Sequence, residues 1–165
     1  MMEAMSSWTQ LHADAPELAT LARTRIEATG MAILATLRRD GSPRISAVET
    51  LFHDDDLWLG MMPESRKALD LLRDPRFALH NATEDKGVTN GDVKVSGRAV
   101  EITDEPTLTS FRRAFAKHAG YPPPPGPMHL FRLDVTEVSS VQPNSDHLVI
   151  QVWHEGEGVR RIERR

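Results

Sequence analysis

The first apolar repeat along the chain has the spacing of a helix. From Leu18 to Ile26, apolar residues recur every three or four positions, so they share one helical face. Pro16 suits the first helical position, and Gly30 suits the position just after the last turn. The pattern therefore predicts a helix over residues 16–30.

From residue 31 onward, the apolar pattern becomes that of strands joined by short turns. Asp40-Gly41 between two apolar runs predicts a β-hairpin within residues 31–52. A turn at residues 54–56 leads into the next strand. The strands predicted after the hairpin are LWLGMM, RFALHNAT, DVKVSGRAVEI, MHLFRLDVTEVSSVQ, DHLVIQVWHE and a short last one, VRRIERR.

Two more helices interrupt the strands. SRKALDLLR is a short helix that ends before Pro75, and DEPTLTSFRRAFAKHAG is an amphipathic helix with Asp104 near its cap. The prolines at 122–125 form a rigid loop, because the roughly 40 residues that follow are too few for a core of their own. We predict one domain over residues 1–165, mainly β with helices (α+β): an antiparallel barrel of six to eight strands.

Composition and charge indicate the cell compartment and exclude some classes of partner. The chain of 165 residues has no cysteine, which excludes disulfides and thiolate sites and fits a reducing compartment. Residues 1–8 lack a secretory leader pattern, and no stretch approaches the roughly 18 uninterrupted apolar residues of a membrane span. The net charge of −4 argues against a nucleic-acid coat. We expect a cytoplasmic protein with neither a membrane nor a nucleic-acid partner.

The short helix carries its charges in an unfavourable order. Ser65 suits the N-cap, yet the first turn holds Arg66 and Lys67, where free backbone N–H groups and the helix dipole favour acids. One interpretation is that the two cations point into solvent and pair with Glu64 or Asp70. The other is that an anion binds there.

Arg44 supports the second interpretation. The short helix leaves one strand beside the start of the neighbouring antiparallel strand, which carries Arg44. Helix N–H groups, the Ser65 hydroxyl and two or three cations would together complement a single phosphate. The sequence thus indicates a phosphate site at the rim of the barrel.

Three segments in order, ATLRRDGSPRISAVE, LWLGMMPESRKALDLLRDPRF and GDVKVSGRAVEI, resemble the pyridoxamine 5′-phosphate oxidase superfamily. This superfamily of flavin-binding split β-barrels also includes general-stress flavoproteins and reductases that use the deazaflavin F420. The resemblance covers residues 16–140, and SRKALDLLRDPRF is its most specific part. It implies a homodimer with the cofactor between two barrels.

The resemblance also implies roles for individual residues. Arg44, Arg66 and Lys67 would hold the terminal phosphate of the flavin, with help from Ser65. The residues expected at the isoalloxazine ring or ribityl chain are Ile45, Ser46, Gly60 and Met61, and Asp92 matches a position that acts on the partner subunit's cofactor.

The chain departs from the vitamin B6 oxidases at three places. Glu49 stands where they carry a lysine, and Asp92 where they carry a glutamine. An acid near a phosphorylated substrate would repel it, so we do not expect oxidation of pyridoxamine phosphate itself. Trp153 and Arg160 have only approximately the spacing of the oxidases' closing segment. Trp153 either reaches the partner's cofactor or is a core or interface aromatic.

The resemblance leaves two classes of function open. The first is an oxidoreductase in which the cofactor supplies the hydride chemistry and no side chain acts as nucleophile or base. FMN is the expected cofactor because Ser65-Arg66-Lys67 matches the FMN-type triplet, and F420 is the alternative because F420-using relatives keep the Lys67 equivalent. The second is a non-catalytic flavin- or haem-binding protein for sensing, storage or stress protection.

The histidines do not change this picture. All seven are scattered without ligand spacing, so we predict no metal site. Haem ligation through His80 or His154 stays open.

Overall fold

The computed structural model describes residues 6–165, which form four helices and nine strands. The helices are α1 (Ser7–Asp14), α2 (Pro16–Glu27), α3 (Arg66–Arg73) and α4 (Glu105–Ala119). The strands are β1 (Met31–Leu37), β2 (Pro43–Glu49), β3 (Leu51–His53), β4 (Asp56–Met61), β5 (Arg76–Asn81), β6 (Asp92–Ile102), β7 (His129–Asn144), β8 (His147–His154) and β9 (Gly158–Arg164). Residues 1–5, part of the stretch searched for a leader, lie outside the described residues.

The strands form one antiparallel sheet that curls without closing. Its order is β2-β1-β5-β6-β7-β4-β3, and β8 and β9 extend from the second half of β7. The long strand β7 pairs with β4 through residues 129–132 and with β8 through residues 137–144. The predicted α+β split barrel is thereby confirmed.

The strand count is one higher than predicted because the second half of the hairpin breaks at Thr50. The backbone N–H of Thr50 bonds the carbonyl of Gly30 at 3.3 Å, and the next residue, Leu51, pairs with Trp58 on β4. The chain therefore passes from one end of the sheet to the other within a single residue, which an apolar run cannot reveal.

The helices at 16–27 and 105–119 were predicted, whereas α1 was not. Its N-cap Ser6 accepts a hydrogen bond from the N–H of Thr9 at 3.2 Å, and its Trp8 and Leu11 are buried. Only these two side chains of the eight-residue helix are buried, too few to set up a readable helical period.

Two apolar clusters lie on opposite faces of β4 and β7, whose successive residues belong to one or the other. The larger one joins α1 and α2 to the sheet and includes Trp153. The smaller one packs α4 through Phe111 against Leu51, Trp58 and Leu130. No helix in residues 6–165 is both long and apolar enough to cross a membrane.

Candidate functional site

The N-terminus of α3 lacks the side-chain cap that two other helices have. Ser6 and Asp104 cap α1 and α4 by accepting backbone hydrogen bonds of 3.2 and 2.9 Å. Ser65 occupies the N-cap position of α3 but accepts no such bond, and its buried Oγ has no partner among the described residues. The first-turn N–H groups of α3 are thus left for another acceptor.

The cations at the start of α3 do not pair with nearby acids. Within residues 6–165, neither Arg66 nor Lys67 makes a salt bridge, so the pairing with Glu64 or Asp70 considered from the sequence is not formed. Arg66 is exposed and Lys67 is half-buried. The unfavourable order of charges therefore has no compensation from acidic side chains of the described chain.

Asp70, one turn into α3, is the centre of a buried ionic network. Its Oδ2 accepts hydrogen bonds from Nε of Arg44 at 2.6 Å and from Oγ1 of Thr36 at 2.9 Å. Its Oδ1 accepts one from the Arg73 guanidinium at 3.1 Å, and Arg73 also donates to the carbonyl of Leu37. The carboxylate thus ties α3 to β1 and β2 and brings Arg44 to the helix. The sequence predicted this approach from β2 and β4 as neighbouring antiparallel strands, which is wrong, because β4 pairs with β3 and β7.

Hydrogen bonding keeps Asp70 ionised although it is only 4% exposed. Burial by itself raises its pKa, but the bonds from Arg44, Arg73 and Thr36 outweigh that cost and hold the pKa below its ordinary value. The network therefore favours a negative charge on Asp70, which the guanidinium groups of Arg44 and Arg73 share.

An open cleft of about 830 Å³ lies beside this network, between α3 and the β1–β2 hairpin. Five of its lining residues are arginines, against two acids. Of the acids, Asp70 is bound as described, and Asp40 accepts hydrogen bonds from the backbone and hydroxyl of Ser42. The lining residues are Arg38, Arg39, Asp40, Arg44, Arg66, Leu69, Asp70, Leu72 and Arg73. Lys67 is not among them. The cleft is strongly cationic and suits a phosphate or another compact anion.

The predicted ring contacts lie on β2, which carries Arg44, and on β4, which precedes α3. Ile45 and Ser46 belong to β2, an end strand of the sheet that pairs only with β1 in the described part of the chain. Ile45 is 75% exposed, and the outer backbone edge of β2 is free to bond a ligand. Their contact with a cofactor stays a prediction.

On β4, the predicted contact residue Met61 faces the core, whereas Gly60 is exposed. The side chain of Met61 is buried in the larger core, so only its backbone could touch a ligand. Gly60 lies under α4 and its following loop: a Cβ there would come within 2.8 Å of Met128 and 3.1 Å of Phe111. Gly60 therefore allows α4 to pack closely, which is a structural reason for glycine independent of any cofactor.

Asp92 and Trp153 are both engaged within the chain. Thr83 donates to both carboxylate oxygens of Asp92 at 3.2 and 3.1 Å. Trp153 is fully buried, and its indole N–H bonds Asp14 on α1 at 3.1 Å. An indole with no exposed surface does not reach a ligand on a partner, so the structure favours the packing role for Trp153. Arg160 is exposed on β9.

Glu49, the acid at the other end of β2 from Arg44, also has a partner. The hydroxyl of Tyr121 donates to its carboxylate at 3.1 Å, and this bond raises the pKa of Tyr121. Arg112 fastens the proline loop that contains Tyr121 by donating to the carbonyls of Pro124 and Gly126.

Two histidines were left open as haem ligands by the sequence, His80 and His154. No group of three metal-ligating side chains occurs in residues 6–165. A ring nitrogen of His80 lies 2.6 Å from the carbonyl of Asn81. His154 is more open: its Nδ1 lies 3.4 Å from Glu137, and 43% of the side chain is exposed.

Comparison with known proteins decides the family. The sequence model described as pyridoxamine 5′-phosphate oxidase matches residues 18–142 of this chain. The chain belongs to the pyridoxamine 5′-phosphate oxidase family. No curated protein matches it, so the family assignment does not extend to a particular activity.

Solved structures share the fold of this family member at low identity. The conserved hypothetical protein Rv2991 from Mycobacterium tuberculosis is 22% identical, with 74% of this chain and 82% of that one covered at a TM-score of 0.64. A haem-binding protein from Mycobacterium smegmatis is 16% identical over 90% and 88%, with a TM-score of 0.63. PhzG from Burkholderia lata 383, in complex with tetrahydrophenazine-1-carboxylic acid, is 17% identical over 98% and 96%, with a TM-score of 0.60.

Sequence reasoning missed part of the cleft of this pyridoxamine 5′-phosphate oxidase family member. Arg38 and Arg39 were assigned no role from the sequence, and Arg73 only ended the predicted short helix. Asp70 had a readable signal, because it is an acid set between Leu69 and Leu71 in the apolar stripe of α3. A carboxylate at such a position requires buried cationic partners.

Proposed function

We propose that this protein is an FMN-binding oxidoreductase whose arginine-lined cleft holds the phosphate of the cofactor. The observation that carries the proposal is the uncapped N-terminus of α3, with the unpartnered hydroxyl of Ser65, beside Arg44 and Arg66. A phosphate would accept from the free N–H groups and pair with the guanidinium groups at the same time. The residues present therefore fit the phosphate of a flavin.

A bound flavin would supply the redox chemistry, in which a hydride is transferred between its ring and a small molecule. The protein's part is to bind and orient. Arg44, Arg66, the hydroxyl of Ser65 and the N–H groups of α3 hold the phosphate, with Lys67 contributing charge. The outer edge of β2 at Ile45 and Ser46 offers backbone donors and acceptors along the ring. No side chain acts as nucleophile or base.

The phosphate chemistry of the cleft also suits F420, which is the alternative cofactor. The two cofactors share the phosphate requirement, so the cleft by itself does not distinguish them. FMN is favoured because Arg66 and Lys67 occur together after Ser65. If the protein does not bind FMN but quenches the fluorescence of F420, then F420 is the cofactor.

A homodimer belongs to the same proposal. Register places Ile33 opposite Ala47, and Ala35 opposite both Ile45 and Ala78, on one outward face of β2, β1 and β5. Ile33 and Ile45 are 40% and 75% exposed there, and such adjacent apolar side chains favour contact with another subunit. A second copy on this face would bury Ile33 and Ile45. Sedimentation equilibrium should give twice the chain mass, and a monomer at micromolar concentration would refute this part.

Titration with FMN tests the proposed function. The wild-type protein should take up one FMN per chain, and Arg66→Ala with Lys67→Ala should abolish measurable uptake because two phosphate cations are lost. Arg113→Ala with Lys117→Ala, an exposed arginine and lysine on α4, is the matched control and should leave uptake unchanged. Equal loss in both double variants would show that only general positive charge matters. No uptake by the wild type would reject FMN.

A haem-binding function is the second candidate. One structural neighbour is a haem-binding protein, and His154 has an open side chain on β8. A Soret band on addition of haem that is lost in His154→Ala but kept in His147→Ala would favour this candidate. A bound flavin that no donor can reduce would favour a non-catalytic flavin carrier instead.

A further inference from the structure

The arginines of the cleft are of two kinds. Arg44 is held in place: its Nε donates to Oδ2 of Asp70 at 2.6 Å, and 24% of its side chain is exposed. Arg66 is exposed and has no hydrogen bond or ion pair with the described residues. A ligand would therefore meet one guanidinium that is already ordered and one that it must order itself.

The hydrogen bond that Arg44 donates to Asp70 leaves the two terminal amino groups of Arg44 free. It uses Nε, so both terminal amino groups remain to face the cleft, and neither has an acceptor among residues 6–165. Two terminal amino groups in one plane match two oxygens of a phosphate. Thr36 fixes the same carboxylate oxygen from β1, and Arg73 fixes the other. Asp70 itself therefore has little freedom to move.

We propose that Asp70 is a positioning residue that acts through Arg44, holding this guanidinium in the orientation that binds a phosphate group. This role rests on the proposed function of the cleft. A long arginine side chain loses rotamer freedom when it binds a ligand. Asp70 has already imposed most of that loss in the folded protein, so the phosphate binds a preformed donor pair.

The negative charge of Asp70, taken by itself, would predict the opposite effect on phosphate binding. Asp70 is an anion that lines an anion-binding cleft, so its removal would strengthen phosphate binding if only net charge mattered. If Asp70 orients Arg44, removal weakens phosphate binding instead. The sign of the change in affinity for FMN in Asp70→Asn therefore separates the two effects.

Binding of FMN and riboflavin provides the test, because riboflavin lacks only the phosphate. We expect Asp70→Asn to weaken FMN about tenfold while riboflavin changes by less than about twofold. In an Arg44→Ala background, Asp70→Asn should cost nothing further for FMN. Asp56→Asn, which removes another buried acid that does not line the cleft, is the matched control and should alter neither affinity. Both affinities are measured by quenching of flavin fluorescence.

A second variant covers the case in which Asp70→Asn does not fold. Thr36→Val removes one donor to Asp70 while keeping the shape of the side chain, and it should weaken FMN about two- to threefold without affecting riboflavin. Three results would overturn the positioning role alone. They are tighter FMN binding in either variant, an equal loss of affinity for FMN and riboflavin, and an effect of Asp70→Asn that persists in the Arg44→Ala background. A wild-type protein that binds FMN no better than riboflavin would overturn the proposed function, and the positioning role with it.

Discussion

Two buried carboxylates in different regions of the molecule show how differently the same group can be accommodated. Asp70, beside the cleft, and Asp56, at the β3–β4 turn, are 4% and 8% exposed. Asp70 receives three donors, whereas Oδ1 of Asp56 has no partner among the described residues. Their pKa values move in opposite directions: burial raises that of Asp56 to about 6, with Arg132 opposing only in part, while hydrogen bonds lower that of Asp70.

The difference separates an organised network, at Asp70, from a buried charge that only lowers stability, at Asp56. At Asp70, every donor comes from a different element, so the charge fixes the relative positions of β1, β2 and α3 and orders Arg44. At Asp56, neighbouring Asp55 and Asp134 add repulsion. The turn before it also places Asp54 and Asp55 at positive φ values of 48° and 57°, a conformation that L-residues rarely adopt. Only the first region has the organisation expected of a binding site.

Replacement of each acid by alanine should give the largest contrast. Asp70→Ala leaves Arg44 and Arg73 without their buried counter-charge, so we expect the free energy of unfolding to fall by about 3–5 kcal/mol. Asp56→Ala removes a poorly solvated charge and should change stability much less. Urea denaturation of the two variants measures both values. A greater loss for Asp56→Ala would invert the comparison.

Removal of one donor should have an intermediate effect. Thr36 is 2% exposed, and Thr36→Val keeps its shape but takes one of the three bonds from Asp70. We expect a loss of about 1–2 kcal/mol in the free energy of unfolding. In an Asp70→Asn background the same substitution should cost less, because the two side chains form one network. Additive losses in the double variant would show that the network is not a unit.

Neutralisation of Asp56 should give a small gain. At pH 8 the folded protein bears the cost of a buried charge that the unfolded chain does not, so Asp56→Asn should raise the free energy of unfolding by about 1 kcal/mol. The raised pKa means that folded Asp56 binds a proton more readily than its unfolded form. Wild-type stability therefore rises, and the gain shrinks, as pH falls from above 6 towards 3.8. A gain that is constant between pH 8 and pH 4 would contradict this cause.

The sequence was sufficient for the elements with strong local signals. Helices α2 and α4 have long apolar stripes and clear ends, and α3 showed its cations where its dipole disfavours them. The split of the hairpin at Thr50 and the helix α1 were missed, because pairing across the sheet and only two buried side chains determine them. Local patterns do not contain these long-range contacts.

The candidate site was predictable only in part for the same reason. Arg44 and Arg66 were placed together from a pairing of β2 with β4 that the sheet does not form, and Asp70 was considered only as a partner for Arg66 or Lys67. Its bonds to Thr36 and Arg44 join residues 34 and 26 positions apart in the chain. Such a network is defined by the folded geometry, and the sequence shows only an acid in an apolar stripe.

The structure of the protein crystallised with FMN tests the central claim most directly. We predict that the phosphate lies at the N-terminus of α3, within hydrogen-bond distance of Ser65 and of the terminal amino groups of Arg44, with the Arg44–Asp70 bond intact. A phosphate bound away from α3, or a cleft that stays without ligand while FMN binds elsewhere, would contradict the account.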